Sequence, residues 1–161
     1  MLLKELIDED FVNYKEPSMF LAFPFCDFKC CIEQGLPTTI CHNEHLANQK
    51  NIKTTPEKIV KRFIQNPLTT AIVMGGLEPL ESFVDVLNII SILRNEYQDN
   101  STIVIYTGYD EDEIEEQIYE LKRFNNIVVK FGRFIFNDTE HYDKILGVKL
   151  NSSNQYAVQI S

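Results

Sequence analysis

Residues Thr70–Tyr106 read TAIVMGGLEPLESFVDVLNIISILRNEYQDNSTIVIY. Two short apolar, β-branched runs, Thr70–Met74 and Ser101–Tyr106, enclose a longer stretch with a different period. Within Leu80–Asn95, the residues Phe83, Val86, Leu87, Ile90 and Leu93 recur at three- and four-residue spacing, which predicts a helix with one buried face. Gly75-Gly76 is expected to break the first strand. Strands that are apolar throughout, joined through a helix, indicate a parallel pair buried on both faces.

The same alternation extends outward. Upstream, Ser18–Phe25 (SMFLAFPF) reads as a strand, and a loop holding every cysteine follows it over residues 26–53. Thr55-Pro56-Glu57 then starts a helix, with Thr55 as N-cap and Pro56 in the first turn. Ile59, Val60, Phe63 and Ile64 form its apolar face, and Asn66-Pro67 ends it. Downstream, Thr107-Gly108 turns the chain, and Asp110 with Glu113 is spaced as a capping box for a third helix bearing Ile114, Ile118 and Leu121. Ile127–Phe131 reads as a fourth strand, and a mixed tail over residues 133–161 ends in a strand near Tyr156–Ile160.

Strands alternating with helices predict an α/β fold: a partial (β/α) barrel or an open, mostly parallel sheet with flanking helices. A full eight-fold barrel needs about 250 residues, more than the 161 here. One domain over residues 1–161 is expected. Ligands of parallel α/β folds sit beyond the C-terminal ends of the strands. The cysteine loop, Gly75-Gly76 and Thr107-Gly108 all follow strands and are expected to converge there.

Hydrophobic residues make up 44% of the chain and charged residues 24%, an ordinary globular mix. The net charge of −9 argues against nucleic acid and against a polybasic membrane anchor. The run Met19–Cys26 is too short to span a bilayer, and Asn88 and Ser91 interrupt the apolar stretch around them. MLLKELIDED lacks the basic start of a signal peptide, so the cytoplasm is the expected location.

Cys26, Cys30, Cys31 and Cys41 lie in one short stretch, whereas a disulfide framework would staple distant segments. Clustered thiolates select zinc, copper or iron–sulfur. Cys26, Cys30, Cys41 and His45 would form a three-sulfur, one-nitrogen structural zinc site. Three thiolates on a cubane cluster would leave one iron open to a ligand. The cysteines alone leave both readings standing.

Cys26-Asp27-Phe28-Lys29-Cys30, followed by Ile40-Cys41-His42-Asn43, resembles the cluster motif of radical S-adenosylmethionine proteins. The resemblance is nearest to the activating proteins of anaerobic ribonucleotide reductases. Met74-Gly75-Gly76-Leu77-Glu78-Pro79-Leu80 is similar to that family's Gly-Gly-Glu-Pro turn, and Tyr106-Thr107-Gly108-Tyr109 to its third-strand motif. Gly132-Arg133-Phe134 and Ser152-Ser153-Asn154-Gln155 are similar to its C-terminal signature. There are two departures. The family's third cysteine position is Glu33 here, as if eight residues were inserted before Ile40-Cys41, and Leu77 either replaces the second glycine of the turn or is inserted between Gly76 and Glu78.

The resemblance implies a 4Fe-4S cluster on Cys26, Cys30 and Cys41, with Cys31 as the rival third ligand and no catalytic side chain beyond the cluster ligands. It implies S-adenosyl-L-methionine as cofactor, chelated at the open iron and cleaved to a 5′-deoxyadenosyl radical. Gly75 and Gly76 would let the backbone approach the methionine moiety, and Glu78 would accept its ammonium. Ile40, Thr107 and Gly108 would contact the adenosine. The implied partners are the large glycyl-radical subunit of the reductase and a flavodoxin-type electron donor. Without a ligand, Glu78 would be an exposed residue near a helix start, and His42 and His45 solvated loop residues.

Overall fold

A computed structural model describes all 161 residues. The chain opens with β1 (Leu2–Leu3), β2 (Glu5–Asp10) and β3 (Ser18–Phe23). The cysteine loop carries two single-turn helices, α1 (Lys29–Ile32) and α2 (Glu44–Ala47), and ends at β4 (Ile52–Lys53). Then come α3 (Pro56–Gln65), β5 (Ala71–Gly76), α4 (Phe83–Ser91), β6 (Thr102–Tyr106), α5 (Glu115–Leu121) and β7 (Ile127–Phe131). The tail forms a hairpin, β8 (His141–Asp143) with β9 (Val148–Leu150), and β10 (Tyr156–Gln159).

The main sheet is open, with six strands in the order β10-β7-β6-β5-β3-β2. The four central strands β3, β5, β6 and β7 are parallel, and an antiparallel strand closes each edge. The expected open sheet is therefore the form adopted, with no closed barrel.

Register assigns each strand residue to a layer. Met19, Ile72, Ile103 and Ile127 lie side by side, and so do Leu21, Met74, Ile105 and Val129. Both rows join the core formed with Ile59, Val60 and Phe63 of α3, Val86, Ile89 and Ile90 of α4, and Ile118 and Leu121 of α5. The alternate row Phe20, Val73, Val104 and Val128 faces the other way. Tyr14, Leu146 and Leu150, from the β2–β3 connection and the tail, cover that second face. A strand buried on both faces has no polar alternation, which is why these strands read as continuous apolar runs.

Three expectations need correction. Gly75 and Gly76 do not break the strand that starts near Thr70: β5 continues through them, pairing Gly75 with Ala22 and Gly76 with Phe23. The helix expected over 80–95 is segmented into a 3-10 turn Pro79–Ser82, α4, and a wide π turn Ile92–Glu96. Here Arg94 donates to the carbonyls of Asp99, Ser101 and Asn125 and ties the helix end to the start of β6. The Asp110–Glu113 capping box forms, but it opens only a 3-10 turn before α5, because Ile114 leaves helical geometry at φ −133°. The N-terminal strands were not foreseen. Acidic residues disfavour strands, yet a charged edge such as β2 blocks pairing with other chains.

Candidate cluster and cofactor site

Beyond the C-terminal ends of β3, β5 and β6 lies a cavity of about 310 Å³, and the three loops expected to converge do line it. Cys26, Cys30 and Cys41 all border it. Cys31 does not: it is 2% exposed and buried behind the wall, its Sγ 3.8 Å from that of Cys30. A single turn of helix explains the split, since adjacent residues on α1 point about 100° apart. All four thiols are free.

Burial and neighbours tune the thiols differently. Burial pushes Cys26 up to about 11, opposed by the Phe28 N–H that donates to its sulfur at 3.2 Å. Cys41 is pushed down to about 6 by a hydrogen bond from the Cys30 thiol, and Cys30 is raised in turn.

The loop carrying Cys41 is held by the tail. The Gln34 side chain donates to the Phe134 carbonyl at 2.8 Å and accepts from the Phe136 N–H at 2.9 Å. His42 packs on the Phe134 ring, 4.6 Å between centroids, and pairs with the Asn151 amide at 3.1 Å. Glu33, at the position where the resemblance expects a third cysteine, instead meets Arg133 at 3.4 Å. Arg133 also grips both oxygens of Glu113, at 2.6 and 2.7 Å.

The glycine turn divides into two roles. A Cβ on Gly75 would lie on the cavity side, 3.1 Å from the Phe20 ring. Gly76 has φ +84°, and a Cβ there would meet Ala22 backbone at 2.6 Å. Gly75 therefore leaves room in the cavity, and Gly76 lets β5 lie against β3. Gly108 is less constrained, with its nearest would-be Cβ contact at 3.6 Å.

Glu78 is not the exposed residue that a ligand-free reading expected. It is 6% exposed; its Oε1 accepts the Leu80 N–H at 3.1 Å and its Oε2 the Gly108 N–H at 2.8 Å. The carboxylate thus ties the end of β5 to the end of β6. Burial raises it to about 7 against these donors and the charge of Lys130. Thr107 is buried and caps Tyr109 N–H through its hydroxyl. Ile40, expected beside the adenosine, closes the 3-10 turn Thr38–Ile40, is half-buried and does not border the cavity.

Lys130 was not foreseen. It sits in β7 opposite Tyr106, on the face away from the helices, and it lines the cavity at 6% exposure. Its Nζ donates to the carbonyls of Gly132 at 2.8 Å and Thr107 at 3.4 Å, leaving one N–H uncommitted. Burial lowers it to about 8. A lysine inside an otherwise apolar buried strand was the available signal.

Three of the four thiols share the cavity wall. No three Cys, His, Asp or Glu side chains stand close enough together to hold one metal ion. His45, the nitrogen of the zinc alternative, lies against the His42 carbonyl at 3.1 Å and does not border the cavity. Thiols bordering one cavity are the soft sulfur ligands that an iron–sulfur cluster takes. Lys29, Lys130 and Arg133 line the cavity together with the acids Asp27 and Glu78.

An open α/β sheet with a thiol-lined cavity at its strand ends defines a cysteine-ligated cofactor protein. The chain belongs to the 4Fe-4S single cluster domain family, whose model matches residues 20–157, and it carries a 4Fe-4S cluster-binding domain. No curated protein matches it. No helix is long and apolar enough to cross a membrane.

Proposed function

We propose that the chain is an activase of the radical S-adenosylmethionine type, acting on the large glycyl-radical subunit of an anaerobic ribonucleotide reductase. A flavodoxin-type protein is the proposed electron donor. The observation that carries the reading is the count of thiols on the cavity wall: Cys26, Cys30 and Cys41 border it, and Cys31 is turned away. Three ligands leave a fourth cluster position open, as chemistry on a bound substrate requires. The matched domain family is found in activase-type radical S-adenosylmethionine proteins, which supports the same reading.

When bound, the reduced cluster supplies the electron that cleaves the sulfonium of S-adenosylmethionine. The chain's own residues do the holding. Cys26, Cys30 and Cys41 ligate the cluster. Gly75, without a side chain, leaves space over the Phe20 ring for the methionine moiety. The free N–H of Lys130 suits the carboxylate of that moiety, and the remaining lone pairs of Glu78 suit its ammonium. Thr107 and Gly108 line the cavity and would contact the adenosine.

The test is anaerobic reconstitution followed by iron and sulfide analysis and an assay for 5′-deoxyadenosine under reducing conditions. About four iron and four sulfide per chain with reductive cleavage is the expected result. A single zinc, no iron and no cleavage would refute it.

A further inference from the structure

Asn43 stands two residues after Cys41, and its side-chain amide donates to the Gly76 carbonyl at 2.7 Å, across 33 residues of sequence. It occupies the N-cap position of α2, where an asparagine ordinarily turns its side chain onto its own helix. No such cap bond forms here. The amide is spent instead on the glycine turn, and both residues border the cavity.

The bond fixes more than a distance. The Gly76 carbonyl belongs to the peptide plane joining Gly76 to Leu77, and that plane is rigid. Gly76, at φ +84°, is the residue type that most readily lets such a plane rotate. Leu77 N–H and C=O have no hydrogen-bond partner in the chain. The neighbouring turn is already pinned, since Glu78 N–H donates to the Phe25 carbonyl at 2.7 Å and the Glu78 carboxylate is held by Leu80 and Gly108. The Gly76–Leu77 peptide is therefore the free link in the wall, and Asn43 holds it from the cysteine loop.

We propose that Asn43 is a positioning residue that aligns the glycine turn with the cluster loop, so that the turn accepts the amino-acid end of S-adenosylmethionine only when the loop is in place. This rests on the function proposed above. The bond is solvent-exposed and neutral, so its loss leaves the fold intact. In Asn43→Ala the peptide plane is released. In Asn43→Asp a carboxylate faces the Gly76 carbonyl, acceptor against acceptor, and the turn is pushed away.

The experiment uses the reconstituted full chain and measures S-adenosylmethionine binding by calorimetry, with the electron paramagnetic resonance signal of the reduced cluster recorded with and without S-adenosylmethionine. Expected are iron content and thermal midpoint close to wild type in both variants. Affinity should fall roughly five- to tenfold in Asn43→Ala and further in Asn43→Asp, with a weakened spectral response. Unchanged affinity and an unchanged spectral response in both variants would overturn the proposal while leaving the function intact. Loss of iron in Asn43→Ala would also overturn it, by assigning Asn43 to cluster retention. A wild-type chain that holds its cluster but neither binds S-adenosylmethionine nor responds to it would overturn the function and this proposal with it.

Discussion

Gly76 lies against Ala22 with no room for a side chain: a Cβ would sit 2.6 Å from both the Ala22 Cα and its Cβ. The contact places the end of β5 beside the end of β3, which leads into the cysteine loop. It sets the distance between two walls of the cavity.

Substitution in the glycine turn should therefore split into two outcomes. Gly76→Ala should destabilise the fold by about 3 kcal/mol, because it combines overpacking against backbone with a positive φ. Gly75→Ala meets closely only the Phe20 ring, which can shift, with Tyr106 Cβ at an ordinary 3.6 Å, and should cost about 1 kcal/mol or less while narrowing the cavity. Urea denaturation of the two variants checks the difference. Equal losses would show that Gly75 is as tightly packed as Gly76.

The thiols should separate three to one. Cys26→Ala, Cys30→Ala and Cys41→Ala are each expected to lose the cluster, and Cys31→Ala to keep it at a packing cost of about 1 kcal/mol. Iron and sulfide analysis after anaerobic reconstitution reads the result. Retention in Cys41→Ala with loss in Cys31→Ala would exchange their assignments.

Gln34 should govern how firmly the cysteine loop is held. Gln34→Ala removes the acceptor of the Phe136 N–H and a donor to the Phe134 carbonyl. Amide exchange at Phe136 is expected to accelerate roughly tenfold, with little change in global stability. Protection equal to wild type would mean that the His42–Phe134 contact alone seats the loop.

Glu78 should make stability fall as the pH rises. Its carboxyl is raised to about 7 in the folded chain from an ordinary value of 4.5, so between these the folded state holds more proton than the unfolded state. Stability from this group is present at low pH and lost as the pH climbs through about 7. Glu78→Gln should flatten that decline, as read by thermal midpoints between about pH 5 and 8. A wild-type slope surviving in the variant would place the titration elsewhere.

The strand and helix order was written locally. Apolar β-branched runs, the Thr55-Pro56 helix start and the Asp110–Glu113 box each act over a few residues, so the α/β class and the strand ends that frame the site are legible without contacts. The grouping of Cys26, Cys30 and Cys41 with Gly75 and Glu78 followed too, because parallel strands bring their C-terminal loops to one side. Tertiary structure decided what depends on approach between distant segments. Register turned Lys130 toward the cavity, and one helical turn took Cys31 away from it. Burial converted Glu78 from a nominal helix-end acid into a bracket between strands. Asn43, Gln34 and Arg133 act on partners 33 or 100 residues away, or across the fold, and no local pattern encodes such a partner. Sequence period reports which way a side chain faces; only packing fixes what it meets.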